Sequence, residues 1–94
     1  MKIVWSPTAI ADLSSLRRYI AQDSLASAGQ IALKIRDAIR RLSQFPLSGR
    51  MGRVAGTREL VIPGTPYLAV YFLNDQEVRI AAILHGKQRW PEKF

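Results

Sequence analysis

The apolar residues in the first half of the chain recur every three or four positions, which is the period of an amphipathic helix. The first series consists of Ile10, Leu13, Leu16 and Ile20. It predicts a helix from Pro7 to about Gln22. Ser6 is the expected N-cap, and proline suits the first helical position because no N–H group is needed there. The short run 2–5 before it is rich in residues that favour a strand.

A second series at helical spacing predicts another helix, which begins at Asp23–Ser24 or at Ser27 and ends at about Ser43. Its members are Ala28, Ile31, Ile35, Ala38, Ile39 and Leu42. Gly29 has low helix propensity, and we interpret it as a point where the two helices cross closely. Two amphipathic helices separated by so short a break predict an αα-hairpin.

The second half of the chain is rich in β-branched and aromatic residues, which favour strands. Residues 58–62, 67–73 and 77–84 predict three strands, and residues 74–76 form a hairpin turn between the last two. Strands that follow a helical pair predict an α+β fold. We therefore expect one domain over residues 1–94, in the order β-α-α-β-β-β. The hairpin packs on one face of a single sheet, the last three strands are antiparallel, and the first strand joins at an edge.

Side chains alternate between the two faces of a strand, which assigns faces in the last strand. Val78, Ile80, Ala82 and Leu84 are expected to enter the core. Arg79, Ala81, Ile83 and His85 then share the opposite face. A lone histidine at a strand end is more often a hydrogen-bonded structural residue than a catalyst. His85 could nevertheless exchange a proton near neutral pH.

Between the two halves lies a segment of residues 49–61, the connector, which contains Arg50, Arg53 and Arg58 together with three glycines. Arginine offers a permanent, forked cation that suits carboxylate and phosphate groups. The glycines predict a flexible basic hinge that contacts a negatively charged partner. They do not form a phosphate-binding loop of the Walker type, because the spacing is wrong and the order is helix to strand.

Composition narrows the classes of protein that remain. The chain has a formal net charge of +7, which favours an acidic protein or a nucleic acid as partner. It contains no cysteine and one histidine, so disulfides and thiolate or multi-histidine metal sites are excluded, and we expect no metal or cofactor. No apolar run reaches the roughly 18 residues of a membrane span, and we expect a cytoplasmic protein with no membrane partner.

Metal-free RNA cleavage is one chemistry that the residues could support. It requires groups for proton transfer and cations at the scissile phosphate. Glu59 or His85 could transfer the proton, while Arg53, Arg58 and Arg79 could hold the phosphate. Glu59 also has a simpler interpretation, as an edge-strand charge paired with a neighbouring arginine.

The C-terminal residues 84–94 mix cations with Trp90 and Phe94. Such a mixture could stack on nucleic-acid bases. The alternative, which we favour for Trp90, is a lid folded over the helices.

Short motifs over nearly the whole chain resemble, in order and spacing, those of the ParE/RelE-type toxins of bacterial toxin–antitoxin pairs. The opening motifs are Trp5-Ser6-Pro7, Asp12-Leu13 and Tyr19-Ile20-Ala21. Those in the middle, Gly49-Arg50, Gly52-Arg53-Val54 and Gly56–Val61, resemble the ParE-like branch. Tyr67, Tyr71 and the closing Ile83-Leu84-His85-Gly86 resemble its final strands.

The resemblance implies a cognate antitoxin whose acidic C-terminal segment wraps the helical hairpin and the sheet in a hetero-oligomeric complex. The residues expected to bind the antitoxin or the target are Arg50, Arg53, Arg58, Arg79 and Trp90. Coupled folding of an acidic tail onto a cationic domain agrees with this, because charge steers the encounter.

The resemblance leaves two targets open. ParE-like members inhibit DNA gyrase by binding, whereas RelE-like members cut mRNA on the ribosome. Arg58 and His85 resemble catalytic positions of some RNA-cutting relatives, but no lysine lies between Lys34 and Lys87 to match the lysines of their cluster. We therefore favour the gyrase-directed function, with the endoribonuclease as alternative. A non-toxic nucleic-acid-binding module is a third reading, in which binding weakens steeply with salt.

Overall fold

A computed structural model describes residues 1–94 and contains two helices, one 3₁₀ turn and five strands. The elements are β1 (Lys2–Trp5), α1 (Pro7–Ala21), α2 (Leu25–Arg40), the 3₁₀ turn (Arg41–Ser43), β2 (Arg50–Met51), β3 (Arg58–Val61), β4 (Tyr67–Leu73) and β5 (Glu77–His85). The strands form one sheet in the order β1-β5-β4-β3-β2. β1 runs parallel to β5, and the other neighbours are antiparallel. The predicted α+β fold is confirmed, with β2 as an additional short strand inside the connector.

Serine side chains begin both helices: Ser6 is the predicted cap of α1, and of the two starts offered for α2 the structure has the one at Ser24. The hydroxyl of Ser6 accepts a hydrogen bond from the Ala9 N–H at 3.0 Å, and Pro7 occupies the first turn. The hydroxyl of Ser24 accepts from the Ser27 N–H at 3.1 Å. Each cap satisfies an N–H group that the first helical turn leaves free.

The main core lies between the helices and one face of the sheet, which we call the inner face. Its buried members are Ala9, Leu13, Leu16, Ala32, Ile35, Ala38, Ile39, Leu42, Ile62, Ala69, Tyr71, Val78, Ile80 and Ile83. Two details of the helix prediction are wrong. Ile10 is 57% exposed, because fully buried Ala9 takes its place where α1 begins against β5. Gly29 has no atom within 4 Å of the position of an added Cβ, so the helices do not cross there.

A β-bulge at Ala81 changes the face assignment in β5. Tyr71 pairs with Ile80 while Val70 pairs with Ala82, so Ala81 is the extra residue. The Ala81 carbonyl accepts a hydrogen bond from the Ser6 hydroxyl at 2.9 Å.

The bulge makes the simple alternation wrong beyond Ile80, since one extra residue reverses every later side chain. Ala82 and Leu84 lie on the outer face of the sheet, and Ile83 enters the core instead. Arg79 and His85, which alternation had placed together, therefore lie on opposite faces.

Neither helix is both long enough and apolar enough to cross a membrane.

Candidate functional site

The connector is pinned to the sheet at several points, so the predicted flexible hinge is wrong. The N–H of Gly49 donates to the hydroxyl of Tyr71 at 3.0 Å, and that hydroxyl donates to the Pro46 carbonyl at 2.7 Å. Arg58 Nη1 donates to the Gly49 carbonyl at 2.8 Å. Gly56 adopts a φ of 81°, in the left-handed region that glycine tolerates best. These contacts fix where the connector's arginines lie.

Glu59 is the buried anion that orders two of these arginines on the outer face. Its side chain is only 3% exposed. Oε1 accepts from Arg50 Nε at 3.2 Å and Nη2 at 3.0 Å, and Oε2 accepts from the Arg53 backbone N–H at 2.8 Å. Arg53 Nε lies 3.7 Å from Oε2. Pairing with arginines is the simpler of the two interpretations offered by the sequence, and it leaves this carboxylate fully engaged.

Trp90 covers the outer face of the sheet, so the predicted lid over the helices is wrong. It packs on a small apolar cluster, the apolar strip, formed by Leu68, Val70, Ala82 and Leu84. The guanidinium carbon of Arg53 lies 3.6 Å from the centre of the Trp90 ring, a cation–π contact. The bulge is the cause, because it turns Ala82 and Leu84 outward and gives the indole an apolar surface there.

The remaining candidate residues lie apart from this cluster. Arg79 is on the outer face, where Nη2 pairs with Glu77 Oε1 at 3.1 Å. Arg58 is on the inner face, because its partner in the ladder is the core residue Tyr71. The structure therefore brings Arg50, Arg53 and Trp90 together, and it places Arg58 and Arg79 elsewhere.

His85 lies at the end of β5 beside Tyr67. The two rings are 5.5 Å apart and nearly perpendicular, at 84°. The Nδ1 of His85 accepts from the Lys87 N–H at 3.0 Å. Burial raises the pKa of the Tyr67 hydroxyl, and the nearby Tyr19 adds to the effect. His85 is thus partly engaged in local structure, as the structural reading of this residue predicts.

The two candidates for RNA cleavage, Arg58 and His85, are well separated. Arg58 is on β3 and His85 is on β5, so β4 lies between them. Their partners on β4 are Tyr71 and Tyr67, which are four residues apart. At a strand spacing of ~4.8 Å and a rise of ~3.3 Å per residue, their backbones are about 16 Å apart. The structure does not assemble them into one site with Glu59.

A groove between β1 and the two helices is a candidate binding surface that the sequence interpretation missed. It has a volume of about 650 Å³ and is lined by Ile3, Trp5, Ile10, Leu13, Ser14, Arg17, Ala32, Arg36, Ile39 and Arg40. Three of these are exposed arginines, and no carboxylate is among them. One signal could have found it, because Arg36 and Arg40 are spaced i, i+4 on α2. The exposure of Ile10 could not be foreseen, since the apolar pattern assigned that residue to the core.

The structure thus defines a small cationic α+β domain, and an apolar floor rimmed by arginines is typical of protein-docking surfaces. A family model described as the ParE toxin of the type II toxin–antitoxin system parDE matches residues 3–90. The chain belongs to this family, and it is the toxin of a type II toxin–antitoxin pair whose partner is a cognate antitoxin.

Individual relatives agree with this assignment over almost the whole chain. The protein Y4kP of Sinorhizobium fredii is 34% identical over 91 residues, which cover 97% of this chain and 94% of the relative. The toxin RelE2 of Caulobacter vibrioides is 38% identical over 85 residues, which cover 90% and 94%.

Solved structures show the same fold. A chain of the chromosomal ParDE system from P. aeruginosa superimposes with a TM-score of 0.81 at 25% identity, covering 90% of this chain and 95% of that one. The YoeB dimer from Staphylococcus aureus has a TM-score of 0.57 at 18% identity, with coverage of 87% and 92%. The second likeness concerns the fold alone.

Proposed function

We propose that this toxin inhibits DNA gyrase by binding, in the cytoplasm, and that its antitoxin neutralises it. One observation carries the choice of binding over cleavage. The groups that could transfer protons or hold a phosphate are dispersed: Glu59 is buried between two arginines, while the backbones of His85 and Arg58 lie about 16 Å apart. General acid–base catalysis needs such groups within hydrogen-bond reach of one substrate. Membership of the ParE family supports the gyrase target.

The groove on the helical hairpin supports recognition of the antitoxin. Its apolar floor can bury one face of an amphipathic segment, and Arg17, Arg36 and Arg40 present cations to carboxylates on that segment. Arg50 and Arg53 offer a second cationic surface across the sheet, beside Trp90. An antitoxin with an acidic C-terminal segment fits both surfaces.

Induced expression in cells, with and without the antitoxin, tests this function. We expect plasmid supercoiling to fall and gyrase–DNA breaks to accumulate, while mRNA stays intact and co-expressed antitoxin restores growth. Growth arrest with normal supercoiling would contradict the gyrase target.

A second candidate is a ribosome-dependent endoribonuclease. It is favoured by the 38% identity to the toxin RelE2 and by the half-buried position of His85 at a strand end, where part of the residue reaches solvent. In that case, mRNA on translating ribosomes would be cut, and His85→Ala and Arg58→Ala would each abolish cutting. Intact mRNA with the unmodified toxin would exclude this candidate.

A further inference from the structure

The outer face of the sheet is covered by residues 86–94, a segment without helix or strand that we call the strap. Trp90 is its anchor, packed on the apolar strip of β4 and β5. Hydrogen bonds hold its first residues: the Gly86 N–H donates to the Pro66 carbonyl at 2.9 Å, and the Gln88 N–H donates to the His85 carbonyl at 3.0 Å. The His85 N–H donates to Oε1 of Gln88 at 3.0 Å. The Nε1 of Trp90 is buried without a hydrogen-bond partner, and a buried unpaired N–H group weakens docking. Beyond Gln88 the strap is held by side-chain packing, with Trp90 as its anchor on the apolar strip.

Arg53 connects the strap to the connector. It stacks on the Trp90 ring and approaches Glu59, yet its side chain is still 53% exposed. A carboxylate from solution can reach it, and a charge-assisted bond to a carboxylate is stronger than an exposed cation–π contact. Arg50, whose side chain is 59% exposed, pairs with the same Glu59. Arg50 and Arg53 thus share one buried anion, Glu59. One positive charge beside the Trp90 ring is therefore not neutralised.

We propose that a carboxylate-rich peptide segment binds Arg50 and Arg53. Its carboxylates replace the Trp90 ring as the partner of the Arg53 guanidinium, and the strap then detaches from the sheet. Release uncovers the apolar strip Leu68, Val70, Ala82 and Leu84, which then accepts the apolar side chains of the same segment. This deepens, and rests on, the proposed recognition of an acidic partner. It does not depend on gyrase. Because coupling is reciprocal, a chain whose strap is held less firmly also binds the acidic segment more tightly.

Fluorescence of Trp90 tests the coupling directly. In a Trp5→Phe chain, Trp90 is the only tryptophan. We expect a decaglutamate peptide to raise the acrylamide quenching constant of Trp90 by about twofold or more, whereas an uncharged serine–glycine decamer leaves it unchanged. Hydrogen exchange of residues 86–94 in the unmodified chain, with and without decaglutamate, provides the same readout without any substitution.

Three variants identify which residues are responsible for the change in Trp90 quenching. Arg53→Ala should give high quenching before any peptide is added, with little further change. Arg18→Ala is the control for loss of one cation, because Arg18 is an exposed arginine of α1, away from the strap; it should keep the full response. Trp90→Ala should bind decaglutamate about threefold more tightly, since the competing ring is gone.

Two results would overturn the coupling. One is decaglutamate binding that depends on Arg53 without any change in Trp90 quenching or strap exchange. The other is no binding of decaglutamate at low salt. A toxin that fails to inhibit gyrase would leave all of these measurements unaffected, so the failures of the two proposals are distinguishable.

Discussion

At the scale of single residues, Gly49 packs the connector against the core residue Tyr71. An added Cβ would lie 2.5 Å from the Tyr71 hydroxyl oxygen and 2.6 Å from a ring carbon. Tyr71 is fully buried and cannot move aside. We expect Gly49→Ala to lower the free energy of unfolding by about 2 kcal/mol, as overpacked sites do. Urea denaturation measures the change.

Gly29→Ala is the matched control, because open space surrounds that position in α2. Here alanine should stabilise the protein by about 0.5–1 kcal/mol through its higher helix propensity. Equal stability of the two variants would contradict the packing of the connector against Tyr71.

Asp12 makes the stability depend on pH in an unusual direction. Burial raises the pKa of its carboxyl above the ordinary 3.8, and the hydrogen bond from the Ile83 N–H lowers it in part. A carboxyl with a raised folded-state pKa contributes most below its unfolded pKa, and this contribution is lost as pH rises through the folded value. Most carboxylates behave in the opposite way.

Asp12→Asn keeps an oxygen that can accept the Ile83 bond but carries no charge to desolvate. We expect the variant to be more stable than the parent at pH 7, with the difference shrinking as pH falls towards 4. Urea midpoints across this range measure it. A parent that gains stability over the variant as pH rises would contradict the expectation.

At the scale of elements, Ser6 joins the start of α1 to the bulge in β5. Its hydroxyl caps the helix through the Ala9 N–H and also donates to the Ala81 carbonyl. Ser24 caps α2 alone, at an exposed position. We expect Ser6→Ala to cost about 2 kcal/mol and Ser24→Ala about 1 kcal/mol, because only the first leaves a second group unpaired. Thermal unfolding measures both losses of stability. Equal losses would contradict the role of Ser6 in joining α1 to β5.

The helices, their serine caps and the strands β1, β3, β4 and β5 follow from local patterns, and all of these could be predicted from the sequence. The bulge at Ala81 could not, because alanine there has no local signal, and its hydrogen-bond partner is Ser6, 75 positions earlier. The side of the sheet that Trp90 covers depends on that bulge, so the sequence interpretation placed Trp90 wrongly. Arg17, Arg36 and Arg40 become one groove rim only when two helices and β1 meet.

At the scale of the whole molecule, the cationic groove and the strap lie on opposite sides of the sheet. The hairpin with its groove packs on the inner face, while the strap covers the outer face. A substitution that weakens contacts on one face of the sheet can therefore leave the contacts on the other face intact. An antitoxin segment long enough to reach both would contact the two cationic surfaces separately.

Charge reversal tests the groove. We expect Arg36→Glu to weaken antitoxin binding about tenfold, because it replaces an attraction with a repulsion at the rim. Arg18→Glu is the control, since Arg18 is an exposed arginine of α1 outside the groove. Calorimetric titration with the antitoxin measures both. Equal losses in the two variants would mean that net charge, rather than the groove, determines binding.

Titration of purified gyrase with the toxin tests most directly whether this protein acts by binding. The account predicts that supercoiling inhibition saturates with toxin concentration, that His85→Ala and Arg58→Ala both retain it, and that the antitoxin reverses it. Undiminished supercoiling at saturating toxin would contradict the central claim.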